Sequence, residues 1–301
     1  MIFDLYAELA RRQGRPSQHR LPDDLASGFV DACTVWCAGG EREEARECYT
    51  RRAAAGALQL PSNRRFDADL EAPLHKGWLA VEIEFKLLSP WYSKDDRLFH
   101  ALDNPVRKDR VFGVPYMSAA SWKGLLRWAC RMQSGLKEHL ERSKRFEEWT
   151  DPDWILHLFG NEKGEKKNFQ QGALAFYPTW FDKIDFEVIN PHDRRRRAGT
   201  QPIYYEVVPP GTNATLRLLY APWPGMKGPP APKEFLPKLL DAIELLLTQY
   251  GISAKRSVGW GTAEIRKWRA WTRERAPDQP IEGNDREELL RQLLANSGDA
   301  S

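Results

Sequence analysis

The sequence predicts an α+β fold preceded by a helical N-terminal segment, and three observations carry that expectation. Residues 78–87, from Trp78 to Leu87, alternate apolar and polar side chains, the two-residue period of a half-buried strand. Stretches opening near Trp122 and at Glu234 carry the apolar spacing of amphipathic helices. From residue 78 the order is strand, helix, strands, helix, strand with long insertions, which is compatible with a ferredoxin-like (RRM-like) core.

The elements divide the chain into three parts. Residues 1–75 read as a helical segment and linker. Phe3, Leu5, Tyr6 and Leu9 mark a short amphipathic helix, residues 23–37 a second stopped by Gly39-Gly40, and residues 41–58 a third. Residues 61–73 are polar and proline-bounded, the composition of a linker. Residues 76–272 form the main domain. After its first strand and a loop-rich stretch (89–116), Ser121 is placed to cap a helix running from Trp122 to Lys144. Beyond a charged insert (160–172), residues 173–177 and 186–189 read as short strands. Residues 204–208 and 214–220 flank Pro209-Pro210-Gly211-Thr212-Asn213 and read as a hairpin, and 222–232 as a loop. A helix over 234–250 ends at Gly251, and a glycine-bearing loop (257–261) leads into a last strand, 262–268. Residues 273–301 supply a terminal helix over 285–295 and a tail.

Composition narrows the function classes. With 301 residues, 42 % of them hydrophobic, the chain can bury a core, which excludes wholesale disorder. No apolar run approaches the ~20 residues that span a bilayer. The N-terminal Met1-Ile2-Phe3-Asp4 leads into charge rather than into a signal sequence, so the expectation is a cytoplasmic protein without membrane contact. Cys33, Cys37, Cys48 and Cys130 are too few and too clustered for a disulfide framework. Cys33 and Cys37 lie one helical turn apart, but zinc wants four ligands and only Cys48 is near. Small buried side chains on a helix are the simpler reading, and no metal site is expected from them.

With 45 basic and 42 acidic residues the net charge is only +3, so the distribution matters more than the sum. Arg194 to Arg197 form a continuous block, and Arg107-Lys108-Asp109-Arg110 and Lys255-Arg256 form smaller ones, each suited to phosphate or simply to a solvated loop. Trp122, Trp128, Trp260, Trp268 and Trp271 sit beside basic residues, an interleaving that suits base stacking, although tryptophans also fill cores. A helix N-terminus carrying Ser121 and Lys123 is an anion site, because orphan N–H groups and the dipole favour phosphate. Arg127, four residues on, extends the same face. Gly259 and Gly261 permit positive φ or close backbone approach, with Lys255, Arg256 and Trp260 around them.

Four segments carry a resemblance. They are Leu102-Asp103-Asn104-Pro105-Val106-Arg107-Lys108-Asp109 with Gly113-Val114-Pro115-Tyr116; Ser121-Trp122-Lys123-Gly124-Leu125-Leu126-Arg127; Leu158-Phe159-Gly160-Asn161 with Gly172-Ala173-Leu174-Ala175-Phe176; and Lys255-Arg256-Ser257-Val258-Gly259-Trp260-Gly261. In this order, over residues 78–268, they resemble the RAMP superfamily, whose members form the backbone of the Csm and Cmr type III CRISPR effectors. One departure is that Ser118-Ala119 stands where the family usually has Pro-Gly, and Ala120 replaces the first of its paired serines.

The resemblance implies a subunit that grips guide RNA and contributes to target-RNA recognition in antiviral defence. Its partners would be guide RNA, target RNA and other type III effector subunits. It assigns RNA contacts to Arg107, Lys108, Ser121, Lys123, Arg127, Lys255, Arg256, Gly259, Trp260 and Gly261. It also places Asp103 at the insertion-loop aspartate that cleaving subunits use to cut bound target RNA with a divalent metal such as Mg. No tightly bound cofactor is expected. An aspartate before Asn-Pro is equally a good turn former. Ile189-Asn190-Pro191-His192, followed by residues 204–208, resembles instead the Cmr subunit at the far end of the backbone, which binds guide RNA without cutting. His192 as a general base has no visible partner. A guide-processing endoribonuclease of the same superfamily would carry a well-placed histidine, and His75 and His100 sit in no recognisable setting. An unrelated α+β enzyme finds no nucleotide loop, triad or metal cluster to support it.

Overall fold

A computed structural model describes residues 33–34, 36–37, 40–55, 58, 74–95, 100–109, 112–142, 145–161, 170–193, 198–199, 202–224, 230–273, 275 and 279–296. The expected helices before residue 33, the 61–73 linker, Arg110, the core of the 160–172 insert, the Arg194 to Arg197 block and the last five residues lie outside them. In chain order the elements are α1 (Arg42–Ala55), β1 (Leu79–Leu87), β2 (Tyr116–Met117), α2 (Ala119–Arg131), α3 (Lys137–Glu141), α4 (Asp153–Phe159), β3 (Leu174–Phe176), β4 (Thr179–Trp180), β5 (Asp185–Ile189), β6 (His192–Asp193), β7 (Ala198–Gly199), β8 (Ile203–Val207), β9 (Asn213–Tyr220), α5 (Pro232–Leu245), β10 (Ala263–Thr272), β11 (Ile281–Gly283) and α6 (Arg286–Asn296).

The fold is mixed helix and antiparallel sheet. Five strands lie in the order β11-β10-β1-β9-β3, every neighbouring pair antiparallel. The alternation along β1 decides its two faces. Leu79, Val81, Ile83, Phe85 and Leu87 join the main core with Trp122 and Leu126 of α2, Phe235, Leu239 and Ile243 of α5, and Leu289 and Leu293 of α6. The intervening carboxylates belong to a cross-strand ion-pair ladder. Arg217 reaches Glu82 at 2.8 Å, Arg269 pairs with Glu82 and Glu84, and Lys267 meets Glu282 at 2.7 Å. That face carries ion pairs where an RNA-stacking sheet would carry exposed rings.

Several boundaries differ from expectation for local reasons. α2 begins at Ala119, because Ser118 holds an extended conformation and its Oγ accepts the Ser121 N–H at 3.1 Å. Ser121 therefore sits inside the first turn and does not cap it. The expected single helix to Lys144 is broken by a π-turn over Met132–Leu136, where Gly135 takes φ 100°. β8 and β9 do not form a hairpin: β8 pairs with β5, while β9 enters the main sheet between β1 and β3. Pro209 and Pro210 have no N–H to continue a ladder, and the Gly211 N–H turns away to the Leu87 carbonyl. The C-terminal segment supplies β11 as well as the expected helix. Trp122, Trp268 and Trp271 are buried, so of the five tryptophans beside basic residues these three are core. Among the described residues no helix is long and apolar enough to cross a membrane.

Candidate nucleic-acid interface

Two of the expected basic elements meet. The loop after α5 is pinned to the segment following β1. Trp91 Nε1 donates to the Ile252 carbonyl at 3.0 Å, Tyr92 N donates to Ser253 Oγ at 3.0 Å, and Ala254 N donates to the Tyr92 carbonyl at 2.8 Å. Gly261 is required by this crossing: a Cβ there, at φ 85°, would lie 2.3 Å from the Ser253 nitrogen. Its close approach is thus to the protein's own backbone. Gly259, also at φ 85°, faces open space and closes a 3-10 turn over Arg256–Val258.

The turn presents its cations to two rings. The Arg256 guanidinium lies 4.1 Å from the centroid of Trp128 on α2, and Lys255 Nζ lies 4.8 Å from that of Tyr205 on β8. Trp260 packs edge-on against Tyr205 at 5.8 Å. Arg256 Nη1 is buried and finds no hydrogen-bond acceptor among the described residues, and burial holds the guanidinium below its ordinary pKa. A buried donor of this kind can be satisfied by water or by an incoming ligand oxygen. One turn before Trp128, Lys123 is exposed at the start of α2, its pKa lowered by partial burial and then by the neighbouring Arg127. Lys255, Arg256, Gly259 and Trp260 thus form a basic, ring-bearing surface where the glycine loop meets Trp128 of α2, and Lys123 is exposed at the start of the same helix.

Arg127 and Lys108 do not join that surface. Arg127 donates Nε and Nη2 to Asp151 Oδ2 at 2.9 and 2.6 Å. Arg131 donates to both oxygens and Trp149 Nε1 to Oδ1. Burial pushes the Asp151 carboxyl upward, but the Arg131 and Arg127 guanidiniums outweigh it and hold the group below its ordinary value. Lys108, expected as a phosphate contact, is buried against Glu206, which also accepts from Tyr49 Oη of α1 at 2.5 Å and from the Val106 N–H at 2.9 Å. The sequence gives no sign of Asp151 or Glu206, since both partners lie far along the chain. Arg107, half-buried, donates Nε to the Lys94 carbonyl at 3.4 Å.

Asp103 is exposed, and its Oδ1 accepts from Arg42 and Arg46 of α1, each at 2.9 Å. Arg46 also donates Nε to the Ala101 carbonyl at 2.7 Å, fixing the loop that carries Asp103. Magnesium at a phosphodiester is held by one or two carboxylates together with substrate phosphates, and here the single carboxylate already faces two guanidiniums. Among the described residues no group of three or more His, Cys, Asp or Glu could hold a metal. His100 is an edge partner of the Tyr49 ring at 5.4 Å, and its Nδ1 accepts the Leu102 N–H at 3.0 Å. His75 packs on Trp78, and the His192 side chain lies outside the described residues.

A family model described as the RAMP superfamily matches residues 84–264. Among solved structures, the fold is similar to a chain in the cryo-EM structure of the Type III-B Cmr-beta bound to cognate target RNA. The TM-score is 0.52 at 17 % identity, covering 77 % of this chain and 73 % of that one. No curated protein matches the sequence.

Proposed function

This chain belongs to the RAMP superfamily, and from that membership we propose that it is an RNA-binding subunit of a type III CRISPR effector complex. In this reading it is a cytoplasmic backbone or end-capping subunit that grips guide RNA and contributes to target recognition in antiviral defence. The order β10-β1-β9-β3, with α2 between β1 and β3 and α5 between β9 and β10, supports a ferredoxin-like core. We place that core in residues 76–272, flanked by the helical segment 1–75 and the C-terminal segment 273–301.

The observation that carries the RNA-binding reading is the stacking of Arg256 on Trp128, which joins the glycine loop to the start of α2. It leaves a buried guanidinium donor without an acceptor among the described residues, with Lys255 next to it in sequence and Lys123 exposed on the helix that carries Trp128, cations suited to backbone phosphates. Such contacts hold RNA by charge and stacking with little reading of sequence. The test is equilibrium binding of single-stranded RNA over a salt series, comparing wild type with the Lys123→Ala, Lys255→Ala double variant. Each lost phosphate contact should flatten the slope of log K against log salt by roughly 0.7 and weaken every sequence alike. An unchanged slope would sink the reading.

The alternative, an endoribonuclease cutting target RNA through Asp103 and a divalent metal, is less well supported. The carboxylate that would hold the metal holds two guanidiniums instead. A guide-processing enzyme finds no support in the settings of His75 and His100. The setting of Asp103 favours the non-cutting reading.

A further inference from the structure

The strand pair β5–β8 separates two surfaces. Tyr205 and Ile189 pack toward Tyr92 and Trp260, beside the glycine loop. The opposite face carries the cross-strand pairs Phe186–Glu206 and Val188–Tyr204 and looks onto α1. Between this face and α1 lies a cavity of about 660 Å³, within the usual size of ligand sites. Phe186, Val188, Leu102 and Tyr204 supply its apolar lining, with Arg46, Arg51 and Asp103 among the polar groups. Nothing described so far uses it.

Three features point to one kind of occupant. Tyr204 is 64 % exposed and its pair partner Val188 50 %, and no other ring packs on Tyr204 among the described residues. A large ring left open beside a cavity is a stacking platform. Asp103 takes both arginine contacts on Oδ1, and Oδ2 accepts no hydrogen bond among the described residues, so it remains open to an N–H donor. Arg51, at the edge, is held among the described residues only by an exposed pair with Glu47 one turn away, a pairing that contributes little. Ring, acceptor and guanidinium match, respectively, a base, its exocyclic amine and its phosphate. An aliphatic side chain from a protein partner would use only the first of these.

We propose that the cavity between α1 and the β5–β8 arm takes one amine-bearing base of a single-stranded RNA, stacked on Tyr204 with its phosphate toward Arg51. The proposal rests on the RNA-binding reading and adds a second, base-holding contact on the far side of the arm from the glycine loop. α1 then forms one wall of an RNA site as well as a docking helix.

The experiment uses the full-length protein and a short single-stranded oligoribonucleotide carrying 2-aminopurine at successive positions. In wild type, fluorescence at one position should be quenched by stacking. Tyr204→Ala should abolish that quench and weaken binding about tenfold, the weight of one stacked base, while Tyr204→Phe keeps both. Because Tyr204 is exposed, neither substitution threatens the fold. Replacing the quenched base by uracil should cost less in Tyr204→Ala than in wild type. If Tyr204→Ala binds and quenches like wild type while the Lys123, Lys255 variant loses affinity, the cavity proposal is overturned and the RNA-binding reading stands. If the wild type binds no RNA at low salt, both fall. If Tyr204→Ala impairs only association with other subunits, the cavity is a protein contact and the proposal is overturned.

Discussion

Replacing Asp151 by Asn removes one negative charge from a site that holds two positive ones. The carboxylate is 2 % exposed and receives two bonds from Arg127, two from Arg131 and one from Trp149. Both arginine side chains are 12 % exposed, so neither can turn to water without moving the helix. Removing one partner of a buried pair typically costs about 3–5 kcal/mol, because the remaining charge stays desolvated. At about 2–4 °C per kcal/mol for chains of comparable size, the melting point should fall by roughly 10 °C. Urea unfolding followed by tryptophan fluorescence gives the free energy, and a scanning melt gives the midpoint. The pH dependence is a second readout. The folded carboxyl lies below its ordinary value of 3.8, so its stabilisation is complete above that value and is lost as pH falls through the folded one. The Asn variant should lack this acid-side loss. A cost below about 1 kcal/mol, the range of an exposed pair, would refute the view that Asp151 is the anchor of α2.

Glu206→Gln should cost a similar 3–5 kcal/mol or so, since it strands the buried Lys108 ammonium, and limited proteolysis should show α1 released. Gly261→Ala should destabilise by at least about 2 kcal/mol, because it combines a positive φ with a backbone clash, whereas Gly124→Ala, in an exposed helical position with open space, should stabilise by about 0.5–1 kcal/mol. His157 is buried against Tyr220, 2.9 Å from its hydroxyl, and burial lowers its pKa from 6.5. Stability should therefore be complete above that value and decline as pH drops toward the folded one, a slope that His157→Gln should remove in denaturation curves taken between pH 7 and 5.

The main sheet and its two core helices were legible because each is written in local periodicity. The alternation over residues 78–87 survives almost unchanged as β1, and the apolar stripe from Phe235 to Ile243 as the inner face of α5. The pairing of β8 was not legible: two strands flanking a proline-glycine turn look like a hairpin until the partner strand, β5, is seen. The basic surface divides in the same way. Lys123 and Lys255 are accessible, as their loop and cap contexts imply. Arg127 and Lys108 are consumed by Asp151 and Glu206, carboxylates 24 and 98 residues away, and no spacing rule connects residues so separated. Gly261 was read correctly as a site of close approach, but what approaches is Ser253.

Asp103 is where the two functional readings part. If it holds a metal for attack by the ribose 2′-OH, the assembled complex should lose metal-dependent cleavage of complementary RNA on Asp103→Ala while keeping its affinity for that RNA. If it is instead the acceptor that docks α1, the same substitution removes two exposed ion pairs, which together contribute about 2 kcal/mol at most, and leaves any cleavage by the complex unchanged. The geometry predicts the second outcome. The docking role has its own signature: Arg42→Ala with Arg46→Ala should cost more than Asp103→Ala, because Arg46 also holds the Ala101 carbonyl, and adding Asp103→Ala to that pair should cost nothing further, because its contacts are already gone. A catalytic aspartate would behave differently, since removing the arginines would free it and raise cleavage rather than leave it unchanged. Cleavage products ending in 2′,3′-cyclic phosphate, abolished by Asp103→Ala in a complex with no other RAMP subunit and enhanced by the double arginine variant, would overturn the non-cutting reading and make α1 a brake on a nuclease.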